Sequence, residues 1–201
     1  MGKGTGMGKV RRTAVLSRQL ILEAAEEIFS EKGYAPATIR EVARRAGISI
    51  GGIYLYYKNK ERLYADVLHR QMEFLREKID KLQNEDPLTA LELFFDINID
   101  YASKETRLLS TLMKECDLTI QQPIREEHDQ SQQRILLQIL KKGVEAGKFK
   151  DLSKDPGYEK TIDVIRYCLG GLILSFISGE IQNLKGHGKT VFEFILNAIK
   201  K

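Results

Sequence analysis

Apolar residues recur along this chain at helical spacing almost from end to end. Over residues 16–32, Leu20, Ile21, Ala24, Ala25, Ile28 and Phe29 form a wide apolar face, with Glu23, Glu26, Glu27 and Glu31 on the opposite side. Gly33 ends that helix and residues 34–37 connect to the next one. Ile39, Val42, Ala43 and Ala46 fall at i, i+3, i+4 and i+7, a single stripe on a short helix. Residues 60–82 read as one long amphipathic helix carrying Leu63, Val67, Leu68, Leu75, Ile79 and Leu82. After a polar break at 84–87, helices are expected over 88–103, 104–118, 124–146 and 158–181, with loops at 119–123 and 147–157. A turn at 183–188 precedes a last helix striped by Val191, Phe192, Ile195, Leu196 and Ile199. The fold class is therefore all-α.

The helix over 158–181 differs from the rest. Between Ile162 and Ile177 it is apolar on nearly every side, interrupted chiefly by Asp163, Arg166 and Ser175. A helix apolar all round has to be covered all round. No apolar run reaches about 18 residues, so no membrane span is expected. A second copy of the chain is the expected cover. Cys168, Gly171, Ser175 and Ser178 make a row of small residues that lets another helix come close, and Phe192, Ile195 and Ile199 supply the second helix of the face. Two helices from each of two chains would then form a four-helix, twofold homodimer interface; the alternative is a core confined to one chain.

Residues 38–60 carry the most specific pattern. Thr38 can cap one helix, and Glu41 three residues on completes a capping box. Gly47 stands where a helix end favours positive φ. Ser49 can cap a second helix over residues 50–57, giving the spacing of a helix-turn-helix. Gly51 and Gly52 cost that helix about 1 kcal/mol each relative to Ala. A helix whose backbone must approach a base edge or phosphate has a reason to carry them. Ile53 and Tyr57 lie four apart and face inward. Tyr54 and Tyr56 leave hydroxyls for phosphate oxygens, and Lys58 and Lys60 add charge.

This segment resembles the DNA-binding signature of the TetR family of transcriptional regulators. The resemblance rests on Thr38, Ala46-Gly47-Ile48-Ser49, Gly51, Tyr54-Leu55-Tyr56-Tyr57, Lys60, Glu61 and Leu63, and covers about residues 20–68. Ile50 departs from it where a polar residue is common, and Gly52 where a larger one is. It implies an N-terminal three-helix DNA-binding domain (16–66), preceded by a basic arm (1–15), and a larger helical domain for ligand binding and dimerisation (67–201). In that reading Ser49, Ile50, Gly51, Gly52 and Leu55 face base edges, Ile50 and Leu55 touching only apolar groups such as the thymine methyl. Thr38, Tyr54, Tyr56 and Lys60 hold phosphates and fix register. The two heads of a dimer would sit about one DNA turn apart on a palindromic operator. A small apolar or amphipathic inducer would shift the helix over 60–82 and release the DNA; a ligand-independent or activating regulator is the alternative.

Charge supports a polyanionic partner through its distribution. The net charge of the 201 residues is only +4. Residues 1–66 hold 12 Lys and Arg against 7 Asp and Glu, whereas residues 67–201 hold 20 against 21, so the whole excess lies on the helix-turn-helix part. Residues 1–14 lack periodicity and include Lys3, Lys9, Arg11 and Arg12. They read as a disordered basic arm reaching DNA or as a solubilising leader, and Arg18 is a further candidate for a phosphate.

The larger domain offers a candidate mixed pocket in Phe94, Asn98, Tyr101, Met113 and His128, each of which also has a reading as a core or satisfied structural residue. Glu92, Asp96 and Asp100 form a solvated row. Glu126, Glu127, His128 and Asp129 are consecutive on a helix and cannot converge on a metal ion. No catalytic constellation, HExxH or phosphate-cradling glycine motif is present, so neither an enzyme nor a cofactor is expected. Cys116 and Cys168 are far apart, which suits a reducing cytoplasm without disulfide or metal framework.

Overall fold

The computed structural model describes residues 6–114, 118–154 and 156–201, and side-chain surroundings for all of these except 6–14, 111–114 and 118–121. Among them the chain forms nine α-helices: α1 (Gly6–Lys32), α2 (Ile39–Ala46), α3 (Ile50–Tyr54), α4 (Lys60–Asp80), α5 (Pro87–Lys104), α6 (Thr106–Lys114), α7 (Leu118–Glu145), α8 (Gly157–Ser178) and α9 (Leu184–Ile199). A 3-10 turn at Lys81–Asn84 joins α4 to α5. The described residues contain no strand, only an isolated bridge between Phe149 and Lys200.

Three boundaries differ from the pattern-based expectation. Residues 6–14, expected as a disordered arm, continue α1 toward its N-terminus. Lys3 and the side chains of Lys9, Arg11 and Arg12 lie outside the described residues. Residues 119–123, expected as a loop, open α7 with Pro123 inside it. There, just past the first turn, a proline removes a single helical hydrogen bond. Residues 184–188 belong to α9 rather than to a turn. Asn183 caps that helix by accepting from the Gly186 amide at 2.9 Å, and the chain reverses at Gly179, whose φ of 84° ends α8.

The buried residues divide into two cores. The first gathers Ile21, Ala25, Ile28, Phe29, Val42, Ile53, Leu63, Tyr64, Val67 and Leu68 from α1–α4, together with Leu108 of α6 and Ile124 of α7. The second gathers Leu75 and Ile79 of α4 with residues of α5, α7, α8 and α9, among them Phe94, Phe95, Leu136, Leu140, Ile165 and Ile195. Helix α4 thus supplies its first half to one core and its second half to the other. α6 and α1 are tied across the junction. The Tyr64 hydroxyl donates to the Leu108 carbonyl at 2.9 Å in a buried setting. Ser30 donates to Glu105 at 3.0 Å, and Arg107 donates to the Glu31 carbonyl.

Helix α8 is, by length and composition alone, apolar enough to cross a bilayer, contrary to the expectation from run length. It is packed here on one side only. Ile162, Ile165 and Leu169 are buried, while Val164, Tyr167 and Leu174 are 54%, 70% and 50% exposed. Arg166, near its middle, is largely buried and pairs with Asp129 of α7 at 2.9 Å.

Leu108 belongs by sequence to the larger half and by packing to the smaller core. Leu108→Ala should lower unfolding stability by about 2–5 kcal/mol, the usual cost of emptying a fully buried leucine site, in a denaturant titration followed by circular dichroism.

Candidate nucleic-acid interface and ligand chamber

The reading head is built from short-range capping. Thr38 accepts the Glu41 amide at 3.2 Å and the Glu41 carboxylate accepts the Thr38 amide at 3.0 Å, so the capping box forms as expected. Hydrogen bonds from Lys32 and Thr38 hold the Glu41 carboxyl down to about 2. Gly47 ends α2 at φ 66°, and Ser49 caps α3 by accepting the Gly52 amide at 3.0 Å. Helix α3 stops at Tyr54 rather than at Tyr57, with Leu55 as its C-cap. Two glycines in five residues leave it little propensity to extend.

Ile53 and Tyr57 are buried and anchor the segment. Ile50, Tyr54, Leu55 and Tyr56 are exposed, Leu55 at 84%, although these are apolar or aromatic side chains that a packing helix would cover. The two glycines have different causes. A Cβ on Gly51 would meet nothing within 4 Å, so its bareness serves no internal contact. A Cβ on Gly52 would come within 2.6 Å of the Ile48 side chain and 3.2 Å of Ser49 Oγ, so that glycine makes room for Ile48 beside the cap.

Two expected phosphate contacts are engaged inside the molecule. The Lys60 ammonium donates to the carbonyls of Tyr34 (2.8 Å), Ala35 (3.3 Å) and Ala37 (3.1 Å) and lies 4.1 Å from the centre of the Tyr34 ring. It closes the α1–α2 connector onto the start of α4. Arg18 donates to Asp66 at 2.5 Å and to the Tyr57 hydroxyl at 3.3 Å, which raises its already high pKa and fastens α1 to α4. The sequence reading passed over Arg40 and Arg44, four apart on α2. Both are exposed, and neither has a side-chain partner among the described residues. Their i, i+4 spacing, a row of cations on one side of α2, is the signal that marks them.

In the second half of the molecule a cavity of about 420 Å³ lies between α4, α5, α6, α7 and α8. That is within the common range for small-molecule sites. Met72, Leu75, Ala102, Leu109, Leu169 and Ile173 give it apolar walls, and Asn98, Tyr101, His128, Gln132 and Arg166 give it polar positions. Asn98, Tyr101 and His128 were expected. Phe94 was also expected but is fully buried in the second core and only its carbonyl takes part, accepting from Asn98 at 2.7 Å. The Met113 side chain lies outside the described residues. Gln132 and Arg166 were missed, because nothing in their spacing separates them from solvated polar positions.

The Tyr101 hydroxyl is buried with no hydrogen-bond partner among the described residues, and burial pushes its pKa up. Burial pushes the His128 pKa down, so the neutral ring is favoured. No three His, Cys, Asp or Glu side chains gather around a possible metal position among the described residues.

The expected dimer residues separate into two groups. Cys168 and Gly171 are exposed, and Ser175 is half-buried and donates to Glu180 at 2.9 Å. Ile195 and Ile199 are buried in the chain's own second core, and Phe192 packs against Phe95 with ring centres 5.5 Å apart. The apolar stripe of α9 is covered by α5 and α8, and the residue facing outward is Phe194, 78% exposed and off that stripe.

Three predictions test these assignments. Gly51→Ala should leave thermal stability unchanged or raise it by up to about 1 kcal/mol while weakening DNA binding. Lys60→Met should instead lower stability by about 1–3 kcal/mol, since it strips three carbonyls of their donor, and leave the slope of log affinity against log salt unchanged. For His128, the folded pKa lies below the ordinary 6.5. The unfolded chain therefore binds the proton first, and the stability linked to the neutral ring is fully present above that value and lost as pH falls through the lower folded pKa. Melting temperatures taken from above pH 7 down toward pH 5 should fall, and His128→Gln should flatten the decline.

Residues 21–67 match the family described as bacterial regulatory proteins, tetR family. The repressor KstR2 of Mycobacterium tuberculosis is 27% identical over 146 residues, which is 69% of this chain and 72% of that protein. Two solved structures share the fold. A transcriptional regulator from Cytophaga hutchinsonii aligns at a TM-score of 0.76 and 19% identity, over 91% of this chain and 98% of that one. The FadR regulator of Bacillus subtilis, solved in complex with stearoyl-CoA, aligns at 0.68 and 22%, over 89% and 97%. Residues 21–67 are a tetR-family helix-turn-helix head, and the helical half behind it completes the fold of a DNA-binding transcriptional regulator.

Proposed function

We propose that the chain acts as a homodimeric repressor in the bacterial cytoplasm, binding a palindromic operator and leaving it when a small apolar or amphipathic molecule fills the chamber. One observation carries this reading. Helix α4 starts beside the reading head, where Asn59 caps it, and contributes Met72 and Leu75 to the chamber wall. A molecule that pushes on those two side chains pushes on the element that sets the angle of α3. The relative solved with stearoyl-CoA supports an apolar tail as one component of such a ligand.

On the DNA, Ser49, Ile50, Gly51 and Leu55 face base edges in this proposal. Thr38, Arg40, Arg44, Tyr54, Tyr56 and Lys58 face the backbone, and Gly52 and Lys60 shape the head without touching DNA. The dimer face is the exposed side of α8 (Val164, Tyr167, Cys168, Gly171, Leu174) with Phe194 of α9, an apolar surface that one chain leaves uncovered. The domain division follows the two cores, with α4 common to both.

Selection from randomised duplexes at near-physiological salt should return a palindrome with half-sites about one helical turn apart. Tyr167→Glu should yield a folded monomer by sedimentation. Its affinity for that palindrome should fall on the order of 100-fold or more, because the second head no longer binds at high effective concentration. A Tyr167→Glu chain that remains dimeric would place the interface elsewhere.

A further inference from the structure

The polar side chains of the chamber form a chain whose direction is fixed at one end. The Phe94 carbonyl can only accept, so the atom of Asn98 that bonds it at 2.7 Å is the amide nitrogen. Asn98 Oδ1 therefore faces Gln132, and Gln132 must present its own nitrogen, at 3.0 Å. That same nitrogen lies 3.3 Å from His128 Nε2, which must accept. In a neutral ring the proton then sits on Nδ1. His128 Nδ1–H has no acceptor among the described residues, and neither has the buried Tyr101 hydroxyl. The chamber thus offers two donors and the described residues supply an acceptor for neither.

Charge around them narrows the guest. The Arg166 guanidinium lies 2.9 Å from Asp129 and 3.7 Å from Asp163, so two carboxylates already compensate it. The other cation at the chamber, Arg125, is exposed and solvated. The carboxylates of Glu105 and Glu26 act on the Tyr101 hydroxyl and oppose further negative charge there.

We propose that the chamber selects an uncharged molecule that presents an acceptor oxygen on an apolar body, such as an ester, ketone or lactone, with Tyr101 and His128 as donors to it. A free carboxylate fits worse, because it would meet a buried cation already compensated by Asp129 and Asp163, and a second cation that stays in solvent. The inference rests on the chamber being the ligand site, and adds the identity of the head group.

Two isomeric probes separate the possibilities: methyl nonanoate, a neutral ester, and decanoate, an anion near pH 8. Titration calorimetry on the full chain should show the ester binding about tenfold tighter than the anion, the scale of satisfying one buried donor. Tyr101→Phe, confirmed as folded by its melting curve, should lose about tenfold for the ester and leave decanoate unchanged. Decanoate binding as tightly as the ester, or an ester affinity indifferent to Tyr101→Phe, would overturn the head-group assignment while leaving the chamber as a ligand site. If neither probe binds or raises the melting temperature, the ligand reading itself falls, and this inference with it.

Discussion

The molecule depends on a single helix belonging to two cores at once. The first half of α4 buries Leu63, Tyr64, Val67 and Leu68 against α1–α3, and the second half buries Leu75 and Ile79 against α5 and α7. Close-packed interiors transmit displacement because they have few voids to absorb it. A rigid rod packed at both ends therefore cannot tilt at one end without repacking the other. The Tyr64 hydroxyl, the Leu108 carbonyl and the bonds of Arg107 and Ser30 fasten α6 to α1 and α4 at the point where the two cores meet. Leu109, next to Leu108, lines the chamber. Adjacent residues of one helix thus face the chamber and the core of the reading head.

What the sequence disclosed followed the range of the interactions involved. The capping box at Thr38, the left-handed Gly47 and the Ser49 cap are contacts within four residues, and each appears as expected. Helix identities followed from apolar period. Less legible were residues whose partner is distant in sequence. Lys60 and Arg18 carry charges that a string of letters assigns to phosphate, and only the fold brings the Tyr34–Ala37 carbonyls and Asp66 against them. Ile195 and Ile199 show the same limit, since an apolar stripe announces that it will be covered without naming by what. The chamber was half legible. Asn98 and His128 stood out as polar residues on apolar faces, whereas Gln132 and Arg166 look solvated until α5 and α8 are set beside α7.

Gly51 and Gly52 make the same point at one position's separation. Both weaken a five-residue helix, yet one leaves open space outside the molecule and the other makes room for Ile48 within it. The buried polar chain in the chamber has comparable economy. One backbone carbonyl fixes the orientation of two amides and the tautomer of an imidazole, and burial keeps that imidazole neutral.

The contribution of Leu108 and Ile124 to the first core has a bearing on how such proteins can be recombined. The family match ends at residue 67, which invites treating the head as an interchangeable cartridge. Here the cartridge is unfinished at that point. Part of its interior surface is closed by two side chains that arrive 41 and 57 residues later, on helices that also border the chamber. Grafting this head onto another sensor would carry over a socket without its plug unless the facing side of α6 and the start of α7 moved with it.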